Sequence, residues 1–518
     1  MIELRFDCYD IADKLENIIK NTKAGEVIFL PSGDYFLSRK VFVKDKTNIT
    51  IRGNNTTIIT PFNPAEGIGS YKGAFDFTDC QNIMLENLIF DTSENINSAG
   101  IVVAVDHNNV TFDVKCFDDC ALDGHQVIRA INSMDEDNSP DYLLETNLVK
   151  YYEMLDDKTA RIYCDESLKS NLESLPIGEK ICFRHSLGGF KVLENSAITF
   201  HNCENIVLND ITVHSSAGYM IVVFPRCHNM TINRYRVVCP DGSNRLMASN
   251  VDAIHLLGLS GKLVINDCYF DGLGDDAVNI HSTAGTISSI NSNFVTLKNG
   301  RFDIPLEDSW CKAGDKIAVY NKDFVLKGFM YVDDYRNSCI HSSSVNVEFT
   351  VGDIVGNTEF YADTEITGCT VKNSRARGFL LQTNNIVIRD CNFFGTSLPA
   401  ILLAPDIKFW HEVGPINNAL IENCVIEKCP ASKKTSFLAS IVVNTSHDRF
   451  SEVESTVHKN INILSNTFKN VTSDFVFMTS TDEVKIQNNV FENCDGNSDR
   501  IKLLHCKNVS LENNHYIE

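Results

Sequence analysis

The chain reads as an all-β protein: a right-handed parallel β-helix with an N-terminal cap helix and two inserted small β-barrel or sandwich domains. Three observations predict this. Apolar alternation recurs with a period of roughly 22 to 25 residues. Each unit closes on Asn-Asn or on Asn/Asp before Cys, and a β-branched or aromatic residue follows that corner. Val264-Ile265-Asn266-Asp267-Cys268-Tyr269-Phe270, Val387-Ile388-Arg389-Asp390-Cys391-Asn392-Phe393 and Leu420-Ile421-Glu422-Asn423-Cys424-Val425-Ile426 are three such units. Phe468 and Phe491, in two of the last units, are again 23 residues apart.

The physical logic is that of a solenoid. One coil cannot bury its inner face, whereas coils stacked about 4.8 Å apart can. Asn at the corner tolerates left-handed backbone, and its amide can bond to the Asn of the next coil. The fixed Leu/Asn spacing of a leucine-rich repeat is absent, and a propeller blade would repeat at about twice this length.

The elements follow in order. Ile11, Leu15, Ile18 and Ile19 share one helical face, with Asp10 as N-cap and Gly25 as the stop, which predicts a helix covering the open end. Val27-Ile28-Phe29-Leu30-Pro31-Ser32-Gly33-Asp34-Tyr35 resembles the opening coil of the pectin-lyase-like β-helix superfamily. Residues 1–103 are assigned to the cap and first coils, 196–283 to coils carrying an acidic site, and 363–518 to the C-terminal coils. The coil register breaks at 104–195, with runs such as Val110-Thr111-Phe112-Asp113-Val114, and at 284–362. The second break contains Lys316-Ile317-Ala318-Val319-Tyr320 and Val345-Asn346-Val347-Glu348-Phe349. Their hairpin-like alternation predicts the two inserted barrels or sandwiches, the second walling a cleft.

Composition narrows the function. A net charge of −22 argues against a nucleic-acid partner. No run of 18 apolar residues exists to span a membrane. Met1-Ile2-Glu3-Leu4-Arg5-Phe6-Asp7 lacks a signal pattern, so the expected location is cytoplasmic, or secreted or periplasmic if a leader has been removed. The 18 cysteines form no CxxC pair. Cys268, Cys369, Cys391 and Cys424 recur at one repeat position, as buried, free thiols do.

The acidic residues carry the candidate chemistry. Asn250-Val251-Asp252 is followed by Gly274-Asp275-Asp276, with Asp275 23 residues after Asp252. That step predicts Asp252 and Asp275 on neighbouring rungs at nearly one angular position, with backbones about 5 Å apart and Asp276 alongside. Like charges so close resist joint ionisation, which raises at least one carboxyl pKa. Glycoside hydrolysis uses this division between one carboxylic acid and one carboxylate. A lone Asp at a β-helix turn is more commonly a cap. Three together, flanked by Asn250, His255 and His281 and with Gly274 at a tight turn, point to a site.

Asn-x-Asp followed by Gly-Asp-Asp one coil later resembles the family 28 polygalacturonases. The chain departs from them in lacking the Gly-x-His-Gly and Arg-x-Lys motifs. Val251-Asp252-Ala253-Ile254-His255, Asp275-Asp276-Ala277-Val278-Asn279-Ile280-His281, Asn373-Ser374-Arg375-Ala376-Arg377-Gly378 and Trp410-His411-Glu412 are similar to the core of glycoside hydrolase family 110. The resemblance spans roughly 27 to 515. It implies an inverting exo-α-1,3-galactosidase acting on a glycan, including blood-group-B-like and linear chains, without metal or organic cofactor. It further implies Asp275 as general acid, with Asp252 and Asp276 positioning and deprotonating water.

Substrate-binding candidates are Asn250, His255, Asn279, His281, Arg375, Arg377, Trp410 and Glu412. The bland counterparts are salt bridges for the arginines, a core plug for the tryptophan and turn packing for the histidines. Tyr219 and Arg226 are weaker candidates, and Asp123-Gly124-His125 reads as a turn. Three alternatives remain: another β-helix glycosidase acting on a plant or algal chain, a Ca²⁺-dependent polysaccharide lyase, and a non-catalytic glycan-binding solenoid. Insertion domains of this kind suggest a homodimer.

Overall fold

The computed structural model describes residues 2–3, 9–63, 66, 70–117, 128–134, 149–185, 195–298, 306, 308–345, 348–407, 410–414, 416–431, 439–445, 453–494 and 496–518. The architecture is the expected parallel β-helix. An 11-stranded parallel sheet takes one strand from each coil in chain order, among them Ile198–His201, Ile221–Val223, Ile254–Leu256, Val278–Ile280, Phe379–Leu381 and Ile401–Leu403. A 22-stranded parallel sheet forms the remaining coil faces.

Strand alternation decides which side chains fill the coil. Ile254, Val278 and Phe379 stack in register inside, as do Leu256, Ile280 and Leu381. The middle residue of each strand then faces outward, aligning Val222, His255, Asn279 and Leu380 in one row. This row is the floor of the candidate site.

The corners behave as their asparagines dictate. Asn48, Asn82, Asn205 and Asn229 all have φ in the left-handed region, between 53° and 57°. Their amides form a ladder: Asn82 donates to Asn48 at 2.7 Å, Asn205 to Asn82 at 2.9 Å and Asn229 to Asn205 at 3.1 Å. Every cysteine among the described residues is free, and Cys268, Cys369, Cys391 and Cys424 are buried at the repeated position. Thiol-to-thiol hydrogen bonding and burial push Cys369, Cys391 and Cys424 up, so these groups remain protonated and inert.

The cap is a helix over Ala12–Asn21, with Ile11, Leu15 and Ile19 buried and Ile18 partly so. Asp10 accepts from the Ala12 N–H at 3.1 Å. The expected stop at Gly25 is not where the helix ends. Thr22 is already extended and its hydroxyl donates to the Ile18 carbonyl at 2.8 Å, satisfying a terminal acceptor.

The first insertion is a six-stranded antiparallel sheet in the order Ile128–Met134, Lys180–His185, Asn97–Asp106, Thr111–Cys116, Thr159–Cys164, Val149–Met154. Its opening strand begins at Asn97, earlier than residue 104, because Asn97 and Ser98 already pair with Arg184 and Phe183. Asp123-Gly124-His125 lies outside the described residues. The second insertion starts with the strand Ser282–Asn291 and is also antiparallel. Arg226 does not reach the acidic site: it pairs with Asp315 of this insertion at 2.6 Å and clamps the insertion to the solenoid. Trp310 is a core plug there, its indole N–H donating to the Thr283 carbonyl at 2.8 Å.

Aromatic stacking seals the C-terminal coils. Phe468 lies 4.9 Å from Phe491, which lies 4.8 Å from Tyr516 (ring centroids). Phe468 is fully buried, so Phe468→Ala is expected to cost about 3–5 kcal/mol in denaturant unfolding. A loss below about 1 kcal/mol would mean that the stack contributes little.

Candidate functional site

Three consecutive coils build the site at one corner. Strand register sets the column: Ile254 pairs with Val278 and Val278 with Phe379. Counting back two residues from each aligns Asp252, Asp276 and Arg377, and the same count from Ile221, which pairs with Ile254, adds Tyr219 below. Backbone bonds support the alignment, Ala253 N–H to the Asp276 carbonyl and Ala277 N–H to the Gly378 carbonyl, each at 3.0 Å. Asp276, rather than Asp275, therefore stands directly over Asp252. The step across this corner is 24 residues where the sequence suggested 23, and Asp275 stands one position earlier in the same turn.

The three carboxyl groups still converge, each offering an oxygen within 4.8 Å of the others. Their surroundings differ. The Asp252 Oδ1 accepts the Asp276 N–H at 3.1 Å, and its Oδ2 lies 2.6 Å from His255 Nδ1. Asp276 is held at both oxygens by Arg377, through the guanidinium at 2.7 Å and the backbone N–H at 3.0 Å. Asp275 is the most open of the three, its side chain 29% exposed and 3.8 Å from Arg375. Such convergence suits proton sharing as well as a bridging cation, and Arg377 already supplies positive charge at the column's upper end.

Burial governs the titration. It pushes the Asp252 carboxyl well above the usual range, and the charge of Asp275 adds to this. It pushes Asp276 up to about 7, with the Arg377 guanidinium pulling the other way. Burial also lowers His255 and His281, favouring neutral rings.

His255 and His281 lie buried side by side on the outward row beneath the acids. Their Nε2 atoms are 3.5 Å apart, and His281 Nε2 is also 3.5 Å from Glu412 Oε1. Tyr219 packs against the His255 ring, centroids 4.4 Å apart and the rings tilted by 33°. Glu412 is buried and accepts from Gln382 Nε2 at 2.6 Å. Asn250 and Asn279 are buried beside the trio, and the side-chain oxygen of each has no hydrogen-bond partner among the described residues. Of the two arginines, Arg377 is committed to its ion pair with Asp276. Trp410 lies on the bend between Asp406 and Glu412, 57% exposed.

Several contributors escaped sequence reasoning. From the first insertion, Arg184 donates to the Gly274 carbonyl at 3.2 Å and Asn97 to the Ser249 carbonyl at 3.3 Å. Both thus brace the turns that present the acids. Ser249 Oγ accepts the Gly274 N–H at 3.0 Å, and a Cβ on Gly274 would fall 2.6 Å from the Ser249 carbonyl oxygen, so only glycine fits there. Gln382 had a readable signal, since it follows Leu381 just as His281 follows Ile280.

The chain is similar to proteins of the glycosidase class. Residues 190–299 match the family described as Glycosyl hydrolases family 28. Curated relatives include alpha-1,3-galactosidase A of Shewanella woodyi, 26% identical over 291 residues (55% of this chain and 47% of the relative). Alpha-1,3-galactosidase A of Bacteroides fragilis is 27% identical over 328 residues, 60% of this chain and 53% of the relative. The chain spans about half the length of these relatives. Among solved structures, the family 28 exopolygalacturonase of Yersinia enterocolitica aligns over 96% of this chain and 75% of its own, with 12% identity and a TM-score of 0.46. The resemblance to glycoside hydrolase family 110 read from the motifs is borne out by the curated relatives.

The raised Asp252 carboxyl has a consequence for stability. In the unfolded chain it ionises near 3.8, whereas the folded chain keeps its proton to higher pH. Its contribution is therefore fully present below that value and declines as pH rises toward the folded pKa. Asp252→Asn, which mimics the protonated acid, is expected to melt above wild type at pH 7, the gain vanishing near about pH 4. Melting curves that coincide at every pH would contradict this.

Proposed function

We propose that the chain is a glycoside hydrolase that removes terminal α-1,3-linked galactose from glycans by inversion. The observation that carries the reading is the convergence of Asp252, Asp275 and Asp276 over the outward row of the 11-stranded sheet. The names of the curated relatives supply the sugar and linkage.

The roles follow from the surroundings. Asp275 is the least enclosed acid and the one free to meet a leaving oxygen, which suits a general acid. Water attacks the anomeric carbon from the opposite side, one carboxylate takes its proton, and the glycosidic C–O bond breaks as Asp275 protonates the departing oxygen. Arg377 keeps negative charge on Asp276 tolerable within the fold. Asn250 and Asn279 offer buried acceptors for sugar hydroxyls, Arg375 a donor, and the exposed Trp410 ring a flat apolar surface for the less polar sugar face.

Inversion needs room for water, about 6.5–9.5 Å between acid and base. The trio is tighter than that at its nearest oxygens, so Asp275 must turn outward when substrate enters. A closer approach, about 5–5.5 Å, is the geometry of retention. Retention is thus the second reading to be tested.

The assay is incubation with linear and branched α-1,3-galactosides, with the first-formed anomer read by NMR. The expected result is free galactose from the start, released as the β-anomer and unaffected by EDTA. Asp275→Asn is expected to reduce kcat by at least 10²-fold. Initial α-galactose would establish retention. No galactose from either substrate, or wild-type activity in Asp275→Asn, would reject the proposal. Unsaturated product lost on EDTA treatment would indicate a lyase.

A further inference from the structure

Resting on that reading, we infer that Asp252 is the base and that His255, His281 and Glu412 form a proton relay serving it. His281 Nδ1 lies 3.3 Å from the Ser282 carbonyl, which can only accept, so that nitrogen carries hydrogen. In a neutral ring, His281 Nε2 is then bare and takes the hydrogen of His255 Nε2 across 3.5 Å. This leaves His255 Nδ1 bare, 2.6 Å from Asp252 Oδ2, so the hydrogen between them belongs to Asp252. The resting chain therefore holds Asp252 protonated, the direction in which burial drives it.

An acid in that state cannot accept a proton from water. The relay offers the proton another place. Asp252 gives its hydrogen to His255 Nδ1 while His255 gives its Nε2 hydrogen to His281 Nε2. Two N–H bonds form, one O–H and one N–H bond break, and no proton is gained or lost. The outcome is a carboxylate at Asp252, a neutral His255 and an imidazolium at His281. Glu412 Oε1 is 3.5 Å from the nitrogen that receives the proton, and Asp406 adds negative charge nearby. The 3.5 Å steps are long for hydrogen bonds, and shorten when the catalytic geometry closes.

Every charged neighbour fits this division. Asp252 faces Tyr219 from the coil below, Asp275 and Asp276 from the coil above, Arg377 beyond them and Glu412 from the returning strand. Asp276 is tied to Arg377 and meets no histidine among the described residues, whereas Asp252 has a path leading away from the trio. After turnover His281 still holds the relayed proton, Asp252 holds the water proton, and Asp275 has given its own to the leaving oxygen. Asp252 passes the water proton to solvent, the relay runs back to Asp252, and Asp275 takes a proton from solvent.

Glu412→Gln tests the relay with little change in shape. Its amide can keep the contact to Gln382 and donate to His281 Nε2, which locks His281 neutral and Asp252 protonated. The expected result is unchanged folding, KM within about threefold, kcat reduced about 10- to 100-fold, and the acid limb of the kcat–pH profile raised by about one unit. Glu412→Asp is expected to recover part of kcat and the original limb. An unaltered kcat and acid limb in Glu412→Gln would overturn the relay while leaving the hydrolase reading intact.

A second measurement needs no substrate. Histidine-selective ¹⁵N NMR of the full chain is expected to show hydrogen on Nε2 of His255 and on Nδ1 of His281 at neutral pH. Hydrogen on Nδ1 of a neutral His255 beside a neutral His281 would overturn the relay, whatever the substrate assays give.

Discussion

Lateral hydrogen bonding between coils is the constraint on which the site depends. The corner carrying Asp252, Asp276 and Arg377 has little regular structure of its own, yet its residues are held in a column by the strands that follow. A slip of one residue would turn the outward row of His255 and Asn279 into the core and bring Ile254 and Val278 out. The apolar cost of that exchange is what fixes the acids in place. Function at the corner is thus borrowed from packing a few residues away.

The column also explains how three acids coexist in so small a space. Asp276 has Arg377 at 2.7 Å and Asp275 has Arg375 at 3.8 Å, whereas Asp252 is enclosed by burial against the His255 ring, which burial keeps neutral. Such an arrangement is poor for stability and useful for chemistry, because groups held away from their preferred ionisation state are ready to move protons. Two insertions help to tolerate it. The first braces the acid-bearing turns through Arg184 and Asn97, and the second contributes the strand against which Glu412 is held.

Much of this was legible in the sequence. The solenoid declared itself through apolar alternation and through Asn corners such as Asn205 and Asn229, because left-handed backbone and amide stacking need that residue type. The identity of the acids was legible for the same reason, as carboxylates are out of place at a core-forming rung. Their exact stacking was not. Alternation fixes the strands but not the number of residues in a bend, so Asp275 was expected where Asp276 stands. The partner of Arg377 was not legible because the carboxylate that engages it is 101 residues earlier. Arg184 and Asn97 were invisible for a related reason: they act from the first insertion, and their partners are backbone carbonyls that any sequence would supply.

Glu412 reaches the histidines from a two-residue strand, Glu412–Val413, paired with Ser282 and Thr283. Those two residues are also where the chain leaves the solenoid for its second insertion. The insertion's root is therefore part of the framework of the acidic corner, however distant its outer strands. Shortening this protein to a bare solenoid would remove the strand against which the glutamate is held, whereas trimming beyond Thr283 leaves that pairing whole.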